Sequence, residues 1–216
     1  AKAAGIDCDK VYLSPVNHAS YYPGSKIMTI KVVFERGTYR LLGGQIIGSE
    51  GVDKRIDVLS TAISAGMTTL QLKDLDLAYA PPYSSAKDPI NMVGFMTENL
   101  KKGRVKQFFL EDIDSLPRDG SLTLLDVRTP MEYAYGHVDS FKNIPVDELR
   151  DRIDEIEVGK PVYVICQSGV RSYIACRILA QKGFDCYNFS GGYRLYETVK
   201  YDKLAKETAT LCGMEI

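Results

Sequence analysis

The chain has 216 residues, 45% of them hydrophobic and 25% charged, an ordinary globular composition that excludes wholesale disorder. Lys and Arg number 27 against 28 Asp and Glu, so a net charge of −1 gives no global field for a nucleic acid or an anionic membrane. No run approaches the ~18 consecutive apolar residues of a membrane span, and the opening AKAAGIDCDK has no apolar signal core. The expected setting is cytoplasmic. The chain begins without Met, which fits a piece of something longer.

In chain order, Ile27–Glu35 is rich in β-branched residues and meets the turn signal Arg36-Gly37. Tyr39–Ile47 follows, which predicts a hairpin. Val52, Ile56, Leu59 and Ile63 then recur at helical spacing over Val52–Ala65, with Gly66 as a stop. Thr68–Leu75 reads as a further short helix. The tandem Pro81-Pro82 excludes a regular helix or central strand over Leu77–Asp88. Asp88-Pro89 caps a helix that carries Ile90, Val93, Met96 and Leu100. Lys101-Lys102-Gly103-Arg104 ends it and sets a domain boundary, giving domains 1–103 and 104–216.

Beyond that boundary the rhythm changes. Strand-like Leu122–Val127, Pro161–Cys166 and Asp185–Phe189 alternate with helix-like Val146–Ile156 and Arg171–Lys182. This alternation predicts a small α/β domain with a mainly parallel sheet, after an α+β first domain. Gly43, Gly44, Gly48 and Gly51 have the wrong spacing for a dinucleotide fingerprint, so the chain is expected to hold neither FAD nor NAD by itself.

The five cysteines are Cys8, Cys166, Cys176, Cys186 and Cys212; they contain no C-x-x-C, and the only histidines are His18 and His137. Neither a disulfide framework nor a metal site is expected. Cys166 stands apart because it ends an apolar strand, and Gln167-Ser168-Gly169-Val170 then turns into a helix opening near Arg171-Ser172. Backbone N–H groups and the helix dipole converge on such a point and favour an anion. For an arbitrary cysteine, packing would be the better reading; the strand–loop–helix context reverses it. The other four read as structural, with Cys212 near the terminus a second thiol that could resolve a group carried on Cys166.

Cys166-Gln-Ser-Gly-Val-Arg171-Ser172 resembles the active-site loop of rhodanese-like sulfurtransferases. Leu124-Leu-Asp126-Val-Arg128 through Glu132-Tyr133, Gly136-His137-Val138 and Asn143-Ile-Pro145 are similar to that family's N-terminal signature, and Ser190-Gly191-Gly192-Tyr193 to a third landmark. The resemblance implies a persulfide on Cys166, cradled by Gln167, Ser168, Gly169, Val170, Arg171 and Ser172. Arg171 would brace the loop through Glu132 or bind an anion, and Asp126 and Arg128 would hold the fold. Four residues lie between Cys166 and Arg171, one fewer than in related phosphatase loops, which favours sulfur over phosphate. Gln167 stands where thiosulfate-using members carry a cation, which points to a persulfide or polysulfide donor.

The first domain carries two tyrosine-rich loops, His18-Ala-Ser-Tyr21-Tyr22-Pro23-Gly24 and Tyr79 to Tyr83. On their chemistry alone such loops are packing or interface elements. With Leu41–Gln45 and Asp53–Ile63 they resemble the dimerisation domain of pyridine-nucleotide-disulfide oxidoreductases, in the CoA-disulfide reductase and persulfide reductase branch. That resemblance implies a homodimer through the first domain, with Tyr21 or Tyr22 and Tyr79 or Tyr83 reaching the partner's reducing site. For a full-length parent it implies FAD, NAD(P)H and CoA or another small thiol. The alternative is a sulfur carrier or sensor joined to a dimerisation module.

Overall fold

The computed structural model describes residues 1–211, with side chains through Asp202. The chain divides into two compact units, Ala1–Arg104 and Val105–Ile216. Among the described residues, no helix is long and apolar enough to cross a membrane.

The first unit is a three-stranded antiparallel sheet, β1 (Cys8–Leu13), β2 (Thr29–Glu35) and β3 (Leu41–Ile47), in that order, with two helices. Strict alternation along β2 sends Ile30, Val32 and Phe34 inward, where they pack with Val11, Met28, Leu41, Leu59, Leu72, Ile90 and Val93. The predicted hairpin is β2–β3, offset by a bulge between Val33 and Phe34. Helix α1 (Val52–Ser64) and helix α2 (Pro89–Lys101) complete the core. Asp88 caps α2, its Oδ1 accepting from the Ile90 N–H at 3.0 Å, with Pro89 at the first helical position. The short helix expected over Thr68–Leu75 is a 3₁₀ helix at Thr69–Asp74.

The second unit is a five-stranded, all-parallel sheet. Its elements run β4 (Lys106–Phe108), α3 (Leu110–Ile113), β5 (Thr123–Asp126), α4 (Pro130–Tyr135), β6 (Lys142–Asn143), β7 (Val162–Ile165), α5 (Val170–Gln181), β8 (Cys186–Phe189) and α6 (Gly192–Leu211). The strand order is β4-β8-β7-β5-β6. Both faces are covered, as parallel sheets require: Leu125, Val162 and Val164 pack on one side with α5, Leu124, Ile165 and Phe189 on the other.

The helix expected over Val146–Ile156 is not formed. Pro145 opens a chain of turns in which Glu148, Leu149 and Asp151 N–H groups bond to carbonyls three residues back, ending in a 3₁₀ turn at Ile153–Glu155. Arg152 grips Glu148 at 2.8 Å and Glu155 at 2.6 Å, while Leu149 and Ile156 are buried. The apolar spacing that suggested a helix is satisfied by those two anchors alone.

Candidate functional site

Cys166 follows directly on β7 and is fully buried. Its Sγ accepts two hydrogen bonds, from the Gly169 N–H at 3.1 Å and from Ser172 Oγ at 3.1 Å. Two donors on one sulfur make a cradle for negative charge at that atom. Gly169 has φ 95°, a left-handed conformation that turns its N–H inward and opens α5. The loop is closed from behind by the start of α6: Tyr193 N–H donates to the Cys166 carbonyl at 2.8 Å and Arg194 N–H to the Gln167 carbonyl at 3.1 Å. Gly192 permits that approach, since a Cβ there would lie 2.6 Å from the Gln167 carbonyl oxygen. Ser190-Gly191-Gly192-Tyr193 is therefore the back wall of the loop.

Two arginines flank the loop, and each is paired. Arg171 makes a two-pronged bond to Glu132, at 2.7 and 2.6 Å, joining α5 to α4. The Arg171 guanidinium, with donors from Thr129, holds the Glu132 carboxyl down to about 2 against desolvation. Arg128 is buried on buried Asp126, with Nη2–Oδ2 at 2.7 Å. Its guanidinium lies 3.9 Å over the Tyr193 ring. It also donates to the Gly136 carbonyl at 2.7 Å and to Gln167 Oε1 at 3.3 Å. Gln167 and Ser168 are half-buried, while Val170 is exposed.

The Gln167–Arg128 bond and the Tyr193 stack are not legible from the sequence, because they join residues 39 and 65 positions apart. A carbonyl-bearing side chain directly after Cys166 is the only signal for the first. Asn143 supports the same corner, donating to the Asp126 carbonyl at 3.0 Å and the Arg128 carbonyl at 2.9 Å.

In the first unit, Tyr21, Tyr22, Tyr79 and Tyr83 are all exposed, at 74%, 44%, 49% and 69%. Tyr21 and Tyr79 hydroxyls meet at 3.0 Å, so the two loops converge although 58 residues separate them. This bond raises the Tyr21 pKa above the ordinary phenol value. Tyr22 sits edge-on to buried His18, with ring centres 5.6 Å apart.

Sequence reasoning missed the residue that holds these loops. Arg55 is buried on α1 and pairs with buried Asp88 at 2.9 Å. It also donates to the carbonyls of Gly51, Asn17 and Tyr83 and to Ser84 Oγ. The signal was a cation at position 55, one helical turn before Leu59 on the face of α1 that enters the core.

Two family descriptions match the chain. Residues 1–89 match the pyridine nucleotide-disulphide oxidoreductase dimerisation domain, and residues 109–198 match the rhodanese-like domain. The first match falls within the first unit and the second within the second. Among solved structures, reduced Bacillus anthracis CoADR-RHD is 44% identical with a TM-score of 0.89, over 93% of this chain and 36% of that one. An NAD-dependent persulfide reductase from A. fulgidus is 40% identical with a TM-score of 0.81, over 91% and 35%. The coenzyme A disulfide reductase of Staphylococcus haemolyticus is 43% identical over 95 residues, 44% of this chain and 22% of that protein. The chain thus spans about a fifth of that curated relative and about a third of the solved structures. These relatives are the CoA-disulfide and persulfide reductase group that the sequence resembles.

The family implies FAD and a nicotinamide nucleotide. The glycines at 43, 44 and 51 do not build a dinucleotide-binding turn: Gly43 and Gly44 lie within an antiparallel strand, and the space beside Gly51 at the opening of α1 is filled by Arg55.

Proposed function

We propose that the chain transfers sulfane sulfur through a persulfide on Cys166, within a flavin- and NAD(P)H-dependent reductase of CoA disulfides or persulfides. The observation that carries this reading is the two-donor cradle on Cys166 Sγ. Cys166 sulfur attacks the outer sulfur of a donor R–S–SH. The donor S–S bond breaks, R–SH leaves with the proton, and Cys166–S–SH remains. An acceptor thiol then attacks the outer sulfur and releases Cys166. Negative charge sits on Cys166 sulfur as it attacks in the first step and returns to it as it leaves in the second, and the Gly169 N–H and Ser172 hydroxyl already point at that atom.

The loop's charge favours persulfides over thiosulfate. Arg171 is neutralised by Glu132 and Arg128 by Asp126, and Gln167 is uncharged, so these groups hold little net positive charge for a dianion. Arg171 acts here as a brace between α5 and α4 rather than as an anion ligand. The first unit would pair with a second copy and offer Tyr21, Tyr22, Tyr79 or Tyr83 to the partner's reducing site, where a phenol donates a proton to a leaving thiolate. The converging Tyr21 and Tyr79 hydroxyls support the choice of those two.

Sulfur transfer from a glutathione persulfide to CoA tests the reading. The chain turns over many times, and Cys166→Ser loses on the order of 10³-fold or more. One sulfur per chain and no further turnover would make it a carrier instead; unchanged transfer by Cys166→Ser would overturn the assignment.

A further inference from the structure

The Cys166 loop is bordered by an apolar rim that the sulfur chemistry does not use. Six large apolar or aromatic side chains are exposed in the described part of the second unit. Four of them, Met131, Tyr135, Val170 and Ile174, lie on the two helices beside the loop. Helix α4 buries none of its residues, and its Met131 and Tyr135, one turn apart, are 83% and 86% exposed. Val170 and Ile174 are likewise one turn apart at the start of α5. The two-pronged Arg171–Glu132 bond ties these pairs together. Glu132 follows Met131 and lies three residues before Tyr135; Arg171 follows Val170 and lies three before Ile174. Val170 is also the exposed member of the loop itself, next to half-buried Gln167, Ser168 and Gly169. Single exposed apolar side chains are ordinary on a protein surface, but four beside one reactive loop form a patch of the kind that meets a ligand.

The charges bordering this rim close on each other: Glu132 on Arg171, and Arg128 on Asp126 behind Gln167. A thiol whose body carries carboxylates or an ammonium group finds no countercharge in those pairs and would lose solvation against the apolar side chains. An uncharged body loses little and gains apolar contact on both helices. We infer that Met131, Tyr135, Val170 and Ile174 select the acceptor by gripping the extended, uncharged arm of a small thiol while its sulfur meets Cys166. This rests on the persulfide reading of Cys166 and adds a substrate class to it: a thiol on a long neutral arm, such as the pantetheine end of CoA, in preference to a charged tripeptide such as glutathione. The rim reads the arm and not the nucleotide. In the step it serves, Cys166–S–SH and R–SH give Cys166–SH and R–S–SH, the S–S bond to Cys166 breaking as the bond to the acceptor sulfur forms.

The test loads the chain with sulfur from inorganic polysulfide, removes the excess, and follows transfer to pantetheine, CoA and glutathione. The readout is the ratio of second-order rate constants for pantetheine and glutathione, because intrinsic thiol reactivity cancels when that ratio is compared between proteins. Met131→Gln/Ile174→Gln should lower the ratio about tenfold, and Met131→Leu/Ile174→Leu should restore it. Both positions are exposed, and thermal unfolding confirms that each variant is folded. CoA should react within about twofold of pantetheine, since the nucleotide lies beyond the rim. A ratio that is the same in wild type and in the folded Gln variant would overturn the inference and leave the rim to a macromolecular surface. A strong preference for CoA over pantetheine would overturn it too, by showing that the nucleotide is what the site reads. If sulfur loads on Cys166 and leaves at equal rates to all three thiols, only this inference is lost; if Cys166→Ser still transfers sulfur, the sulfurtransferase reading falls with it.

Discussion

Both units place a fully buried Arg–Asp pair beneath loops that matter, yet the outcomes differ. In the second unit, Arg128 on Asp126 gathers Gly136, Gln167 and the Tyr193 ring into a corner closed around one thiol. In the first, Arg55 on Asp88 gathers Asn17, Gly51, Tyr83 and Ser84, and the loops it holds end in four exposed tyrosines. A guanidinium with five donors suits this task, because it can collect several loop carbonyls at once while a carboxylate neutralises it. The same device therefore orders a buried thiol loop in one unit and exposed tyrosine loops in the other. Both donors to the Cys166 thiol come from its own unit, whereas the four tyrosines stay exposed on theirs.

The largest effect that would sharpen this comparison is on Arg55. Arg55→Met leaves buried Asp88 without its cation and frees the loop carbonyls, at an expected cost of about 3–5 kcal/mol. Calorimetry should show the loss in unfolding of the first unit, while sulfur transfer at Cys166 stays within twofold. Equal loss of sulfur transfer would break the idea that the second site is self-contained.

A smaller effect concerns the brace. Glu132 is held at about 2 in the folded chain, below the ~4.3 of an unfolded glutamate. Its pairing therefore stabilises fully above the unfolded value and is lost as pH falls from about 4.3 toward 2. Because Glu132 and Arg171 are each about one-third exposed, solvent screening limits the contribution to about 1 kcal/mol. Glu132→Gln should lower stability by that amount at pH 7, and the gap should close near pH 2. A gap that persists at pH 2 would show that Glu132 acts through packing rather than charge.

How much was legible follows the same division. The Cys166 loop could be read because its parts are contiguous, and a strand, a glycine and a helix start leave strong local signals. The hairpin, α1 and α2 were legible through alternation, helical spacing and the Asp88-Pro89 cap. The strands at Cys8–Leu13, Lys106–Phe108 and Lys142–Asn143 were not, since all three lie at sheet edges and the last two span only three and two residues. Val146–Ile156 misled because its apolar spacing fits a helix while Pro145 and the Arg152 ion pairs hold successive turns. Arg55 and Gln167 depend on partners distant in sequence, so only the folded chain displays them. Cys212 lies outside the described residues.

The central claim is that Cys166 carries sulfur as a persulfide. Intact-mass measurement after brief exposure to a glutathione persulfide, with peptide mapping, tests it directly. The account predicts a gain of about 32 Da on the peptide containing Cys166, removed by added CoA and absent in Cys166→Ser. A Cys166 peptide that stays unmodified while sulfur transfer proceeds would contradict it.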